Sequence, residues 1–121
     1  MRSNLSKNSY KDLIVWQRAV ELSVAIYKLT ATFPREEIYG LTNQLRRAGV
    51  FVASNIAEGY GRFSPSEYKN FLSMARGSVL EVQTQLLIAE KLAFAPATEI
   101  ETTKNLSEEI GKMLWAIAQK L

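Results

Sequence analysis

Residues 64–89 read SPSEYKNFLSMARGSVLEVQTQLLIA and predict the most clearly marked helix of the chain. Ser64 precedes Pro65, and Glu67 follows three residues after the serine, which is the spacing of a capping box at a helix N-terminus. Apolar residues then alternate in steps of four and three: Tyr68, Leu72, Ala75, Val79, Val82, Leu86 and Ala89. This repeat of about 3.5 residues is typical of a helix that packs almost parallel to its neighbours. The stretch therefore predicts a bundle helix that ends near Leu92.

Three further amphipathic segments share the helical period. The first covers about residues 11–32, with Ser9 as its expected N-cap. The second begins at about Arg35 and stops near Gly59 to Gly61, since glycine accepts the left-handed conformation of a helix C-cap. The last covers about residues 97–121, and prolines or glycines separate all four segments. Four long helices with short connections predict an all-α, up-down-up-down antiparallel four-helix bundle.

The composition limits the functions that are open to this chain. Its 121 residues are 47% apolar and 22% charged, as expected for one domain, 1–121, with residues 1–9 as a flexible tail. Cysteine and histidine are absent, which excludes disulfides, thiolate chemistry and the commonest transition-metal ligand. The sequence has no visible secretory signal and no apolar run of about 20 residues, so we expect a cytoplasmic protein with no membrane partner.

The positive charge is concentrated near the N-terminus. Residues 1–47 carry eight Lys or Arg against four Asp or Glu, whereas the net charge of the whole chain is +3. A basic excess of this kind permits an anionic partner such as RNA or DNA. A mild excess of this size is more often ordinary solubility charge, so charge alone does not require such a partner.

Several short motifs carry a resemblance to a known family. They are YGLT at residues 39–42, QLRRA at 44–48, SNIAEGYGR at 54–62, and Phe71-Leu72, Ala75, Gly77-Ser78, Glu81 and Gln85-Leu86 in the third helix. Asp12-Leu13 and Val15-Trp16 match as well. Over most of its length the chain resembles the 23S rRNA-intervening sequence proteins. Ala53 departs from the pattern, because the family often has proline there. A proline would kink the helix, so alanine at this position predicts a straighter second helix.

The resemblance implies a small bacterial protein that folds as a four-helix bundle and assembles as a homopentameric ring. It implies no established enzymatic activity, and we expect neither an enzyme nor a cofactor. Related accessory proteins of diversity-generating retroelements use a strongly basic form of the same barrel to bind nucleic acid. The present chain is less basic than that role favours.

Basic residues of the first two helices are the candidates for phosphate contacts. Lysine and arginine side chains neutralise and position nucleic-acid phosphates. The candidates are Lys11, Arg18, Lys28, Arg46 and Arg47. Arg46 and Arg47 are adjacent and point about 100° apart on a helix, so one could instead pair with a carboxylate while the other is solvated.

Polar residues near the end of the second helix are better explained by structure than by chemistry. Glu58 lies near a helix C-terminus, where a negative charge is disfavoured, so Arg62 or Arg76 is expected to pair with it. The expected polar network consists of Ser54, Asn55, Glu58, Arg62, Arg76 and Glu81. Phe51 and Tyr60 lie off the apolar stripe and are the expected contacts between protomers.

These features favour a non-enzymatic homo-oligomer that binds RNA or DNA through a basic surface. The main alternative is a protein-interaction or scaffolding ring with no nucleic-acid role. A third possibility is an enzyme or small-ligand binder that uses Glu58, Glu81 and Tyr60. We expect no metal site, because metal-binding bundles of this kind combine carboxylates with histidine and the chain has no histidine.

Overall fold

Four long α-helices follow one another along residues 9–121, the part of the chain that the computed structural model describes. They are α1 (Ile14–Thr30), α2 (Leu41–Tyr60), α3 (Pro65–Lys91) and α4 (Ala97–Gln119). Each helix packs against the next, and α1 also packs against α4, so every helix has two antiparallel neighbours. No strand occurs in this part of the chain, and the predicted all-α four-helix bundle is confirmed. Residues 1–8 of the predicted tail lie outside the described residues.

The core follows the apolar stripes of the four helices. In α3 every repeat position from Leu72 to Ala89 is buried, which confirms the predicted repeat. The largest fully buried side chains include Leu22, Ile26, Leu45, Ile56, Leu72, Leu86, Ile100, Ile110 and Leu114. Full burial of one aliphatic side chain contributes about 1.5–3 kcal/mol, so these residues supply much of the stabilisation of the bundle.

The third helix begins and ends where the sequence predicts. The Ser64 hydroxyl accepts a hydrogen bond from the Glu67 amide at 3.1 Å, which confirms Ser64 as the N-cap. Pro65 occupies the first turn, where its missing N–H has no intrahelical partner to lose. The helix ends at Lys91, one residue before the predicted end.

The connection after α3 closes the end of the bundle at which α1 ends and α2 begins, which we call the upper end. Ala93 has a φ of 57°, the left-handed conformation that ends many helices. The Phe94 amide donates to the Ala89 carbonyl at 3.0 Å, as in a Schellman motif. The Phe94 ring then packs against Phe33, with the ring centroids 5.5 Å apart. This contact joins the α3–α4 connection to the α1–α2 connection.

The first helix starts later than predicted. The Ser9 hydroxyl accepts from the amide two residues on, so Ser9 caps a single 3₁₀ turn, Tyr10–Asp12, rather than α1. Leu13 is extended and separates the turn from the helix. The Tyr10 ring packs edge-on against Trp16, with centroids 5.1 Å apart. That contact places the turn beside α1 instead of in line with it.

The second helix also starts later than predicted. Arg35–Tyr39 is a separate 3₁₀ helix, and Gly40 turns the chain before α2 begins at Leu41. The Glu37 carboxylate accepts from the Leu41 amide at 3.0 Å and caps α2 from outside the helix. A Cβ on Gly40 would lie 2.7 Å from this carboxylate oxygen, so a side chain there would require the Glu37 carboxylate to move. As a result α2 has 20 residues and is shorter than predicted.

Candidate functional site

A groove runs along the outside of the bundle between α1 and α2. Its upper part, beside the C-terminus of α1, has a volume of about 630 Å³ and is lined by Tyr27, Ile38, Tyr39, Thr42, Asn43, Arg46, Arg47, Val50 and Phe51. Its lower part has a volume of about 300 Å³ and is lined by Tyr10, Trp16, Val20, Ser23, Val24, Val50, Ala53, Ser54 and Ala57. Val50 belongs to both parts, so they form one surface, the α1/α2 groove.

The α1/α2 groove is strongly apolar for a solvent-facing surface. Val24, Tyr27 and Val50 remain 47%, 46% and 39% exposed. Among the described residues that line it, the charged ones are Arg46 and Arg47, with no Lys, Asp or Glu. Aromatic residues and arginine are enriched, and lysine and acidic residues depleted, at the centres of protein–protein interfaces. The groove therefore has the composition of a macromolecular contact surface.

Arg46 is held in place by α1. Its Nε donates to the Thr30 hydroxyl at 2.8 Å, and a terminal nitrogen donates to the Tyr27 carbonyl at 3.4 Å. The Thr30 hydroxyl donates in turn to the Ile26 carbonyl at 2.7 Å, which leaves its oxygen free to accept from Arg46. The guanidinium carbon also lies over the Tyr27 ring. A cation over an aromatic face contributes about 0.5–1 kcal/mol at an exposed site, so Arg46 fastens α2 to α1.

Arg47 lies on the outer surface of α2, between the α1/α2 groove and a groove beside α3. Its guanidinium carbon lies 5.6 Å from the centroid of the Phe51 ring, and both residues are exposed. With Gln44, Glu81 and Gln85 they line a smaller groove between α2 and α3, of about 290 Å³. Gln85 Oε1 is buried there and accepts no hydrogen bond within the described chain. Arg47 and Phe51 thus connect the two grooves across the outer surface of α2.

Arg18 is engaged on the opposite side of α1. Its Nε and a terminal nitrogen donate to the two carboxylate oxygens of Glu109 in α4, at 3.0 and 2.7 Å, and it also pairs with Glu21. The hydrogen bond between them raises the pKa of Arg18 and lowers the pKa of Glu109 below its ordinary value. Two carboxylates therefore balance the charge of Arg18. Their negative charge would repel a phosphate, so Arg18 is a poor candidate for a phosphate contact.

The five predicted phosphate-binding residues are spread over the surface. Arg46 and Arg47 lie together beside the upper part of the α1/α2 groove. Lys28 is exposed in the last turn of α1, whereas Lys11 lies in the 3₁₀ turn at the other end of that helix. Arg18 faces α4. The structure therefore brings two of the five together. The five residues do not share a single surface that one nucleic acid could contact.

The predicted ion pair between Glu58 and Arg62 is replaced by a different contact. The Arg62 guanidinium carbon lies 4.5 Å from the centroid of the Phe71 ring in α3. Within residues 9–121 both ion pairs belong to Arg18, and neither involves Glu58, which is exposed. An exposed carboxylate is hydrated and needs no buried partner, which removes the reason for the predicted pair.

The other members of the predicted polar network lie on different sides of the bundle. Ser54 lines the α1/α2 groove, Glu81 lines the groove between α2 and α3, and Arg76 lies between α3 and α4. Asn55 is half-buried in α2. Sequence spacing places such residues on helices but does not specify the neighbour that each helix face meets.

The end of α2 is joined to α3 by aromatic packing. Tyr60 is half-buried and packs edge-on against Tyr68, with ring centroids 6.0 Å apart. Burial raises the pKa of Tyr68, and the neighbouring Tyr60 adds to that shift. A Cβ on Gly59 would lie only 2.6 Å from the Phe71 Cβ, so the two helices approach closely here. Of the two predicted protomer contacts, Phe51 is exposed and Tyr60 already packs within its own chain.

A second surface with exposed apolar residues, which the sequence patterns did not predict, lies on the opposite side of the bundle, and Arg76 and Lys112 line it as well. Leu80, Leu87 and Trp115 are 50%, 52% and 57% exposed, and Leu80 and Trp115 line a depression of about 290 Å³. A side chain on Gly77, which is exposed in α3, would meet no atom within 4 Å. These four residues define the α3/α4 face. A sequence feature that could have indicated this face is the spacing of Leu80 and Leu87, which are seven residues apart and lie outside the apolar stripe.

Two features do not occur among the described residues. Within residues 9–121 no three His, Cys, Asp or Glu side chains lie close enough to hold a metal ion. No helix in this part of the chain combines the length and hydropathy needed to cross a bilayer. The surfaces with unusual composition are the α1/α2 groove and the α3/α4 face, and both are suited to binding.

Comparison with known proteins agrees with this architecture. No functionally curated protein matches the sequence. A crystal structure of a protein with unknown function from the S23 ribosomal protein family of Bacteroides thetaiotaomicron VPI-5482 superposes with a TM-score of 0.79. The two share 24% identity over 87% of this chain and 98% of the other, which shows a common fold. The sequence model described as 23S rRNA-intervening sequence protein matches residues 11–116. Because this match spans most of the chain, the protein belongs to the 23S rRNA-intervening sequence protein family.

Proposed function

We propose that this protein is a non-enzymatic homo-oligomer of the cytoplasm and that its copies contact one another through the α1/α2 groove. The observation that carries the proposal is the composition of that groove. It exposes Val24, Tyr27 and Val50 and is lined by two arginines without lysine or acidic residues. A monomeric bundle gains nothing from leaving such a surface in water, whereas a second chain would remove it from solvent.

The number of copies that we propose is five. This number comes from the family resemblance, which implies a homopentameric ring. A closed ring explains why a small protein can expose apolar surface without forming open aggregates, since each copy in a ring has its contact surfaces covered. The assembly would then act as a scaffold, with its outer charged residues available to a further partner.

Light scattering coupled to size-exclusion chromatography tests the assembly. We expect the wild-type protein at micromolar concentration to have the mass of five chains. The Val50→Glu variant places a charge in the middle of the groove and is expected to be monomeric with an unchanged helical circular dichroism spectrum. The matched control is Thr102→Glu, an exposed position of α4 seven residues before Glu109 and therefore on the side of α4 that faces α1, which should leave the mass unchanged. A monomeric wild-type protein contradicts the proposal.

A second candidate function is the binding of single-stranded RNA or DNA. The observation that favours it is the upper part of the groove, where Arg46 and Arg47 lie among the aromatic side chains of Tyr27, Tyr39 and Phe51. Aromatic rings stack on bases, and arginine binds phosphate, so this combination is typical of surfaces that bind single strands.

Filter binding at two salt concentrations distinguishes the two candidates. If nucleic acid is the partner, binding should be detectable at about 50 mM salt and should weaken steeply by about 200 mM, because phosphate contacts release counterions. Arg47→Ala should weaken it, whereas Arg18→Gln should not, since Arg18 is already paired with two carboxylates. No binding at the lower salt concentration leaves the scaffold without a nucleic-acid role.

A further inference from the structure

We propose that the smaller groove between α2 and α3 binds a free α-amino acid with an apolar side chain. This α2/α3 groove is lined by six residues of one chain: Gln44, Arg47, Ala48 and Phe51 of α2, and Glu81 and Gln85 of α3. Because the site lies within one chain, the inference is independent of the proposed self-association. It rests on two unpaired charges, on the positions of the donors and acceptors, and on a buried oxygen without a hydrogen-bond partner.

Two opposite charges stand at the same height on the two walls of the α2/α3 groove. Gln85 Nε2 lies 3.5 Å from Gln44 Oε1, which places these two residues side by side. Arg47 follows Gln44 by three residues in α2, and α3 runs antiparallel to α2. Glu81 precedes Gln85 by four residues, so Arg47 and Glu81 differ in height by the rise of one residue, about 1.5 Å.

These two charges do not pair with each other. Both Arg47 and Glu81 are exposed and line the same groove. Within residues 9–121, however, both ion pairs belong to Arg18. The Arg47 guanidinium lies over the Phe51 ring instead. The space between a free cation and a free carboxylate is therefore open to a ligand that carries both charges.

Hydrogen-bond donors line one wall of the groove and acceptors line the other. Arg47 and Gln44 share a side of α2 and supply guanidinium and amide N–H groups. Glu81 and Gln85 share a side of α3 and supply carboxylate and amide oxygens. The carboxylate of an α-amino acid needs donors, and its ammonium group needs acceptors. The ligand is therefore oriented with its carboxylate toward α2 and its ammonium group toward α3.

A buried oxygen favours binding of the ammonium group. Gln85 Oε1 is shielded from solvent and accepts no hydrogen bond within the described residues. A buried acceptor without a donor destabilises the ligand-free protein. The Gln85 side chain is only half-buried, so its rotation toward the groove presents this oxygen to the ligand. Binding then removes a cost that the free protein carries.

The size of the groove and its apolar part limit the ligand further. Its volume of about 290 Å³ is at the small end of the range for ligand-binding cavities, which suits an amino acid and is small for a nucleotide. Ala48 and the exposed ring of Phe51 form its apolar part. An aliphatic side chain that covers them removes apolar surface from water. Leucine is therefore a suitable probe.

Isothermal titration calorimetry of the wild-type protein with L-leucine tests the site. The ligand has few atoms and the groove is open, so we expect a dissociation constant on the order of 0.1–1 mM. Isocaproate lacks the amino group of leucine, isoamylamine lacks its carboxylate, and each should bind at least about tenfold more weakly. No heat of binding with leucine at about 10 mM overturns the proposal. Equal binding of either analogue also overturns it, because the site then does not recognise a zwitterion.

Variants without the two charges test the walls of the groove. Glu81→Gln and Arg47→Gln should each weaken leucine binding by about tenfold or more, because each removes a charge-assisted hydrogen bond. The matched control is Glu90→Gln, an exposed carboxylate nine residues further along α3 and therefore on the opposite side of that helix. It should bind leucine as the wild type does. Undiminished binding by Glu81→Gln or by Arg47→Gln contradicts the assignment.

Gln85→Met distinguishes a ligand-binding role of Gln85 from a structural one. The variant keeps the length of the side chain and removes its amide oxygen. Leucine binding should weaken by about tenfold or more, whereas the melting temperature of the ligand-free protein should rise by about 2–4 °C, because the unsatisfied buried oxygen is gone. Loss of a structural hydrogen bond would instead lower the melting temperature. Wild-type binding by this variant, or a lower melting temperature at the same protein concentration, contradicts the role of Gln85 in the site.

Discussion

The guanidinium carbon of Arg46 lies 4.6 Å from the centroid of the Tyr27 ring, and this contact joins the first two helices at the upper end of the groove. Its neighbour in sequence has a different environment, because adjacent residues in a helix point about 100° apart. The Arg47 guanidinium lies over the Phe51 ring at the outer surface of α2. One arginine is therefore structural, and the other is available to a partner.

Replacement of Arg46 should destabilise the fold. Arg46→Ala removes a cation over an aromatic ring and a hydrogen bond from a charged donor to Thr30, and we expect a loss of about 1–2 kcal/mol in the free energy of unfolding. Arg47→Ala is the matched control and should change it by less than about 0.5 kcal/mol, since exposed substitutions usually have small effects. Urea denaturation measures both. Equal losses would contradict the structural role of Arg46.

Two glycines should respond in opposite ways to alanine. A Cβ on Gly59 would lie 2.6 Å from the Phe71 Cβ, so Gly59→Ala must push α2 and α3 apart and should destabilise the bundle by about 1–3 kcal/mol. A Cβ on Gly77 meets nothing within 4 Å, so Gly77→Ala should stabilise α3 by about 0.5–1 kcal/mol through its higher helix propensity. Both should be measured by urea denaturation in the Val50→Glu background, so that assembly does not contribute.

The residue after α3 is expected to prefer glycine. Ala93 has a φ of 57°, where its Cβ is crowded by the backbone. Ala93→Gly should raise the free energy of unfolding by about 0.5–1 kcal/mol, because glycine adopts this conformation without that crowding. Ala116→Gly, at an exposed position inside α4, should instead lower it by about 1 kcal/mol. Thermal denaturation of the two variants would show shifts of opposite sign.

The link between α1 and α4 should depend on acid pH. The hydrogen bond from Arg18 lowers the folded-state pKa of Glu109 below its ordinary value of 4.5. A lowered pKa means that the contribution to stability is present above pH 4.5 and is lost as the pH falls through the folded-state value. The stability difference between the wild type and Arg18→Gln should therefore shrink below pH 4.5.

Carbon-13 NMR of the Glu109 carboxyl group measures this pKa directly. In Arg18→Gln it should move back up toward 4.5, because the charged donor is gone. An unchanged Glu109 pKa in the variant would contradict the role of Arg18.

The long helices could be predicted from the sequence because their apolar residues repeat with the period of a helix. In α3 the steps of four and three from Leu72 to Ala89 coincide with the buried positions. Ser64 and Pro65 predicted its start because capping chemistry depends on residues that are close in sequence. The predicted starts of α1 and α2 were wrong because they depend on contacts that a periodic pattern does not record. Tyr10 packs on Trp16, and Glu37 reaches across Gly40, and neither contact is part of a periodic pattern.

The polar residues were harder to place than the apolar ones. Spacing within α2 suggested that Glu58 would pair with Arg62, yet Arg62 lies over Phe71, a residue of the next helix. Likewise the carboxylate that Arg18 binds, Glu109, is far away in sequence. A charged side chain is long and can reach several neighbours, so its partner depends on which helix face happens to lie beside it.

Residue patterns along the chain are therefore enough to predict four amphipathic helices in order, a core on their apolar stripes, and membership of a family through local motifs. The positions of the candidate contact surfaces follow instead from the way the helices pack. Val50 and Leu80 are both off-stripe residues in the sequence, and only the packing of the helices sets them on opposite sides of one bundle. The physical reason is that periodicity records which side of a helix is buried, whereas a surface shared by two helices depends on how those helices are placed together.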